Sequence, residues 1–280
     1  MKKGIDVSDN QGYIDWKKVK AAGVEHAVLR STRRSGPPDK QLASNIKGCL
    51  ENGILKSFYK YSYALTNAEA QREARRVVEV LKMYGVLPSL DVVIWMDVED
   101  KSQFALSAKA LTEIVDCFKE VIINSGYTFG LYMGKYAYEH KELYAELFDD
   151  HIWLARYPHD NPVPFGTLPN EKYKPEAKAG QLWGWQYSSK GQVPGIKGNV
   201  DLDVVYYDIR HINVAPEYYE KPEFTLIDSL NKIGADSSYN NRKKIAIANG
   251  ISNYSGTAAQ NLELLQLLNR GKLLKVSKNG

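Results

Sequence analysis

At 280 residues, 44% hydrophobic and 25% charged, with a formal net charge of +4, the chain has the composition of an ordinary globular protein, long enough for one large domain and a small one. No run approaches the ~20 apolar residues of a membrane span, and Met1 to Val7 lacks the apolar core of a signal peptide, so synthesis in the cytosol is expected. Cys49 and Cys117 each fall within an amphipathic helical pattern and read as buried free thiols rather than a disulfide scaffold or a metal site, and the histidines show no metal-ligand spacing.

In chain order, Gly4-Ile5-Asp6-Val7 reads as a strand, followed by a short helix capped by Asp15 and stopped near Gly23. His26-Ala27-Val28-Leu29-Arg30 precedes a helix ending at Gly53. Leu55 to Ala64 is a third strand, and Asn67 caps a long helix stopped by Gly85. Val92 to Asp97 is the fourth strand, after which Ser107 opens a helix running to Gly126 and Phe129-Gly130-Leu131-Tyr132 makes a fifth strand.

The fourth strand carries the most informative stretch, Ile94-Trp95-Met96-Asp97-Val98-Glu99-Asp100, where a β-type apolar run ends in carboxylates spaced i, i+2. Side chains of a strand repeat every two residues, so Asp97 and Glu99 project from one face. Close carboxylates oppose each other's ionisation, which leaves one protonated as an acid beside a charged partner, the division of labour that glycoside hydrolysis uses. A strand end reaching solvent is the plain alternative.

A further helix is expected near residues 136–148, and then the helical signal fades. Ile152 to Tyr157, Gln181 to Tyr187 and Val200 to Val205 look like three strands with little helix between them. Five βα units and three bare strands suggest an α/β fold, a parallel barrel that has lost its last helices, with chemistry at the C-terminal strand ends where Asp97 and Glu99 lie.

Periodicity lapses around Ala215-Pro216-Glu217 and Lys221-Pro222-Glu223, so residues 210–223 read as a linker between a domain over 1–209 and a mainly helical module over 224–280. Helical patterns there cover Leu226 to Ile233, Asn240 to Ala248 and Thr257 to Leu268. The module holds eight Lys/Arg against three Asp/Glu, +5, which leaves −1 for the first 223 residues. Such a split suggests an anionic polymer as partner of the module; no nucleic-acid motif accompanies the charge. So small a module buries little core, and self-association is expected to support it.

Several segments together carry a resemblance. Ile5-Asp6-Val7-Ser8, Tyr59-Lys60-Tyr61-Ser62-Tyr63-Ala64, Asp97-Val98-Glu99, Trp153-Leu154-Ala155-Arg156-Tyr157, and Trp185-Gln186-Tyr187 followed by Gly198-Asn199-Val200-Asp201-Leu202 resemble family 25 glycoside hydrolases, the Chalaropsis-type lysozymes common as bacteriophage endolysins. The resemblance spans residues 4–208 and implies an irregular TIM-like (β/α)5(β)3 barrel acting as a muramidase on the β-1,4 bond between N-acetylmuramic acid and N-acetylglucosamine. Carried over by motif, Glu99 matches the general acid, Asp97 its partner, and Asp6 and Asp201 the further acidic residues. On this resemblance the substrate's acetamido group can itself attack the anomeric carbon, with Asp97 or Asp201 stabilising the oxazolinium-like intermediate. Tyr61, Tyr63, Tyr132, Trp153, Arg156, Trp185 and Gln186 match substrate-binding positions, with barrel packing the plain alternative for the aromatics and structural ion pairing for Arg156.

Asp203 reads as a solvated strand residue. Two stretches depart from the family pattern: Arg30-Ser31-Thr32-Arg33-Arg34 stands where many relatives have a Lys-Ala-Thr-Glu-Gly-like run, and Ser62 where some carry His. No Gly-x-Ser-x-Gly elbow or phosphate loop appears, so no cofactor, metal, peptidase or amidase chemistry is implied. Ser237 to Ala246 and Tyr254 to Asn261 resemble a C-terminal wall-binding module of phage lysins against Gram-positive hosts. The expected partners are thus peptidoglycan glycan strands and a Gram-positive wall polymer, and the expected location is the host cytoplasm until a pore releases the enzyme to the wall. A catalytically weak wall-binding protein on the same barrel is the alternative reading.

Overall fold

A computed structural model describes residues 1–89, 91–140, 143–145, 148, 151–206, 225–269 and 273–276. The chain forms two compact units, residues 1–211 and 212–280. The expected linker, 210–223, lies outside the described residues.

The first unit alternates strand and helix: β1 (Lys2–Val7), α1 (Trp16–Ala21), β2 (His26–Arg30), α2 (Leu42–Glu51), β3 (Leu55–Tyr61), α3 (Asn67–Met83), β4 (Val93–Asp97), α4 (Ala108–Asn124), β5 (Thr128–Gly134), α5 (Lys135–Glu139) and β6 (His151–Ala155). A two-residue β7 (Val163–Pro164), the long β8 (Gln181–Gln192) and β9 (Val200–Val205) follow. Local chemistry sets the boundaries. Asp15 and Ser107 accept backbone N–H groups as N-caps, and Gly23, Gly85 and Gly126 supply positive φ just past helix ends. Thr66 rather than Asn67 caps α3, accepting from Glu69 N. α5 is shorter than the expected 136–148, ending at Glu139.

β1 to β6 pair in parallel in sequence order, β6 pairs with β8, and β9 lies between β8 and β1, closing an eight-stranded barrel. The (β/α)5(β)3 architecture is therefore present, but not all strands are parallel. β9 runs antiparallel to both neighbours, because the link over residues 193–199 is far shorter than the dozen or more residues a parallel crossover needs. The reversal brings the start of β9, at Asp201, to the end of the barrel where β1 to β6 finish.

Two apolar layers hold the unit together. Outside the barrel, Val77, Leu81, Leu111, Phe118 and Ile122 of the helices pack on Ile94, Met96, Leu131 and Ile152 of the strands. Inside, Val28, Val93, Trp95, Tyr132, Trp153, Trp183 and Val205 fill the lumen. Trp95 lies across β5 because Gly130 has no side chain: a Cβ there would meet the indole at 2.2 Å. Trp95, Trp153 and Trp183 thus fill the middle of the lumen beneath its mouth.

In the second unit, α6 (Leu226–Lys232), α7 (Tyr239–Ala248) and α8 (Ala258–Asn269) bury Leu226, Leu230, Ile245, Tyr254, Leu264 and Leu268. Thr225 and Ser238 cap α6 and α7. Among the described residues no helix is long and apolar enough to cross a membrane. Cys49 is buried and Cys117 half-buried rather than buried, and both are free.

Candidate active site

The mouth of the barrel collects carboxyl groups from three strands. Asp97, the last residue of β4, stands in register with Tyr61 of β3 and Tyr132 of β5, and Glu99 follows it two residues on at the rim. Across the lumen Asp6 of β1 is the Cα partner of Asp201 in β9, while Asp203 pairs with Gly4 one layer deeper. Gly4 leaves room for this: a Cβ on it would come within 3.1 Å of Asp203 Cβ.

Burial and mutual repulsion raise the whole set. Asp6 and Asp203 are enclosed and held well above the carboxylate range by desolvation first, then by Asp201. Asp97 is raised in the same way by desolvation and then Glu99, with Lys60 pulling against the shift. Asp201, partly open to solvent, is pushed up to about 6 by desolvation, and a hydrogen bond from Asp6 restrains it. Glu99 is exposed on the rim, yet the protein around its carboxyl, then Asp201 and Asp100, raise its pKa as well. Five carboxyls in one field do not all ionise at neutral pH. Asp6 hydrogen-bonds to Asp201 and Asp203 alike, contacts that require a proton in the cluster.

Gln186 is the polar hub. Its amide donates to Asp6 Oδ2 at 2.7 Å, and its carbonyl accepts from Tyr132 Oη at 2.8 Å and Tyr157 Oη at 2.5 Å. Trp153 Nε1 donates to Asp203 Oδ1 at 2.9 Å. Asp97 Oδ1 has no hydrogen-bond partner among the described residues, which leaves an acceptor aimed into the site.

The expected binding residues divide. Tyr61 and Tyr63 stand at the rim with ring centroids 4.7 Å apart, Tyr61 beside Glu99 and Asp100. Tyr132 and Trp153 face the lumen but are buried, so they shape the floor beneath the carboxyls. Arg156 turns away: its guanidinium donates to Tyr173 O at 2.6 Å and lies over the Tyr173 ring, which pins the loop after β6. Its structural partner is therefore a carbonyl and a ring rather than an acidic neighbour.

Trp185 is fully buried in the outer layer against Tyr187, its indole N–H bonded to Arg156 O at 2.7 Å. A bulge is the reason: β8 shifts register so that Ile152 faces Leu182 but Trp153 faces Gly184. The extra residue turns Gln186 inward and Trp185 outward. Asp203, read as solvated, is 1% exposed inside the lumen. Tyr157 is a site residue that sequence reasoning passed over, although it ends the Trp-Leu-Ala-Arg-Tyr motif; it is exposed, with its hydroxyl on Gln186.

Both departures from the family pattern have structural uses. Arg30 pairs with Asp9 and, at 2.7 Å, with Asp39. Ser62 is buried and donates to Glu73 Oε2 at 2.8 Å, which ties β3 to α3. A cavity of about 500 Å³ opens at the opposite end of the barrel beside Lys2, His26 and Trp183 and holds none of these five carboxyls.

The model of the family described as glycosyl hydrolases family 25 matches residues 5–196. The autolytic lysozyme of Clostridium acetobutylicum is 29% identical over 201 residues, 72% of this chain and 55% of that protein. A solved structure of the modular autolysin LytC from Streptococcus pneumoniae, in complex with a synthetic peptidoglycan ligand, aligns at a TM-score of 0.58 and 26% identity over 73% of this chain and 46% of that one. The chain thus spans about half the length of each. A stretch of 47 residues, 17% of the chain and of the relative, is 55% identical to the L-alanyl-D-glutamate peptidase of Listeria phage A118.

Proposed function

Because the chain belongs to family 25 of the glycosyl hydrolases, we propose that its barrel is a muramidase that hydrolyses the β-1,4 bond between N-acetylmuramic acid and N-acetylglucosamine in peptidoglycan. The observation that supports this most is the pairing of one exposed carboxyl with a raised pKa, Glu99, with enclosed carboxyls on the facing strands. Glu99 is the general acid: a proton held at a solvent-facing rim reaches the leaving oxygen of a glycan lying across the mouth. The substrate's own acetamido oxygen attacks the anomeric carbon. Asp97, whose Oδ1 lacks a donor, receives and orients the acetamido N–H. Asp201, the partly solvent-open member of the set and pushed up only to about 6, ionises more readily than its buried neighbours, so it faces the positive charge of the oxazolinium-like intermediate. Asp6, protonated and fixed by Gln186, holds Asp201 in place.

The basic second unit is, on this reading, a wall-targeting module. A stretch shared at more than half identity between a phage peptidase and a family 25 chain suits an appended module better than a catalytic fold. The enzyme acts on the wall after a membrane pore made by another protein admits it. Purified walls decide the matter: turbidity should fall with new reducing ends on muramic acid and no new free amino groups. Stem peptides released from intact glycan would overturn the reading, and binding without turnover would leave only a wall-binding protein.

A further inference from the structure

Beside Tyr63, a second cavity of about 420 Å³ lies open to solvent between the loop after β2 and α3. Its cations are Arg34, Lys60, Arg72 and Arg76, against two anions, Glu69 and Glu73. The anions are already engaged. Glu73 accepts from Ser62 Oγ at 2.8 Å and Tyr63 N at 3.1 Å and faces Lys60 Nζ at 3.7 Å; Glu69 accepts from Leu65 N at 2.9 Å. Arg76 is spent on Gly36 O and Glu79. Arg34 forms no ion pair among the described residues: its exposed guanidinium lies 4.3 Å above the Tyr63 ring, and Asp100 feels its charge only as a minor influence behind Ser102. An independent observation points the same way. Thr32 lines the cavity with its hydroxyl buried, 1% exposed overall, and without a hydrogen-bond partner. A buried hydroxyl left unpaired costs stability and calls for a ligand atom.

The loop itself is rigid. Gly36 N bonds to Arg33 O and Arg33 N to Pro37 O, so Arg34 is presented on a closed turn rather than a floppy tip. Tyr63 is one wall of the cavity, and its ring partner Tyr61 is in register with Asp97. The Tyr61–Tyr63 pair thus links this cavity to the carboxyl-bearing mouth.

We propose that this cavity is a substrate subsite for a free carboxylate of the peptide stem carried by the glycan, with Arg34 as its charged partner and Thr32 as its hydroxyl donor. The inference rests on the muramidase reading. A stem carboxylate is anionic, planar and attached to the muramic acid through a flexible arm, which suits a guanidinium above a tyrosine at the edge of the cleft.

The test compares Arg34→Ala and Thr32→Val in the full chain on two substrates: wall glycan with free stem carboxylates, and the same glycan after carbodiimide coupling to methylamine has masked them. Arg34→Ala should raise KM about tenfold on the first with kcat unchanged, the factor lost with about 1.4 kcal/mol of binding. Masking should raise the wild-type KM equally, and the variant should then add nothing. Thr32→Val should move KM in the same direction by a smaller factor while keeping its melting temperature, since no bond is lost. A KM for Arg34→Ala that stays put on free stems, or rises by the same factor on masked stems, overturns the subsite. If wild type makes no reducing ends on either substrate, the muramidase reading fails instead. Calorimetric binding of a soluble muropeptide then decides the subsite, which stands only if Arg34→Ala weakens that binding.

Discussion

Gln186 and Asp6 are joined by a 2.7 Å hydrogen bond across the β1–β9–β8 side of the barrel, and the same amide's carbonyl gathers two tyrosine hydroxyls. One side chain thereby fixes the acid cluster and the aromatic floor together. Replacing Gln186 by Leu should leave three polar partners unpaired. The expected result is a loss of stability of about 1–3 kcal/mol with a fall in kcat, read by urea denaturation and wall turbidity. Replacing it by Glu should do worse at neutral pH and recover as pH falls, because a further carboxylate enters a field that already opposes ionisation.

Glu99→Gln should abolish lysis while leaving fold and wall binding intact. It removes the one proton donor the proposed mechanism uses and is nearly isosteric, and losses of roughly 10²–10⁴-fold are usual for a general acid. Rates on walls, with circular dichroism as the folding control, check it. Full turnover by a folded Glu99→Gln chain would refute the assignment.

The alkaline limb of the rate profile should follow Glu99, whose acid form is the active one. Glu99 sits above its ordinary range through desolvation by the protein around its carboxyl and then through the negative charge of Asp201. Asp201→Asn removes that charge, so Glu99 should lose its proton at lower pH and the alkaline limb should move down. Asp201→Asn should also cost kcat heavily at every pH if it faces the intermediate. A profile whose alkaline limb stays in place would separate Asp201 from Glu99.

Much of this site was legible in the sequence, for identifiable reasons. Asp97 and Glu99 declare themselves by the two-residue period at the end of an apolar strand, and the order of five βα units predicts the barrel. Asp203 was not legible, although Asp201, Asp203 and Val205 share a face. A polar face on a strand means solvent in most sheets, and only closure of the barrel turns that face into a lumen. Trp185 was misplaced because a one-residue bulge inverts the alternation beyond Leu182, and nothing in the residue types marks it. The antiparallel last strand had a visible signal in the short stretch before Val200, which strand counting overlooks.

Asp203→Asn should stabilise the protein at neutral pH while reducing activity. The sign follows from proton linkage: Asp203 has a higher pKa folded than unfolded, so its contribution to stability is full below the unfolded value and is lost as pH rises toward the folded one. At pH 7 its carboxyl therefore costs stability that an amide does not. Asn retains the acceptor for Trp153 Nε1 and gains a donor toward Asp6. A rise in Tm of about 2–4 °C is expected, the response to roughly 1 kcal/mol in a domain of this size, and it should shrink as the solution is acidified. An unchanged Tm at pH 7 would mean that the cluster's cost is not carried by Asp203.

The basic module should act by tethering. Residues 224–280 carry +5 against −1 for the rest, and Lys243 and Lys244 are exposed on α7 with no ion pair among the described residues. Removing the module should slow killing of whole cells far more than hydrolysis of soluble glycan, because a bound module raises the local concentration of the scissile bond and a soluble substrate does not need that. Lys243→Glu with Lys244→Glu should weaken sedimentation with Gram-positive walls, and wild-type binding should fall as salt rises toward 1 M, where the Debye length shrinks to about 3 Å. If the charge-reversed chain still pellets with walls and wild type ignores salt, the module binds by contacts other than charge. If neither chain pellets at all, it is a spacer or a self-association domain, and sedimentation of the isolated module distinguishes those two.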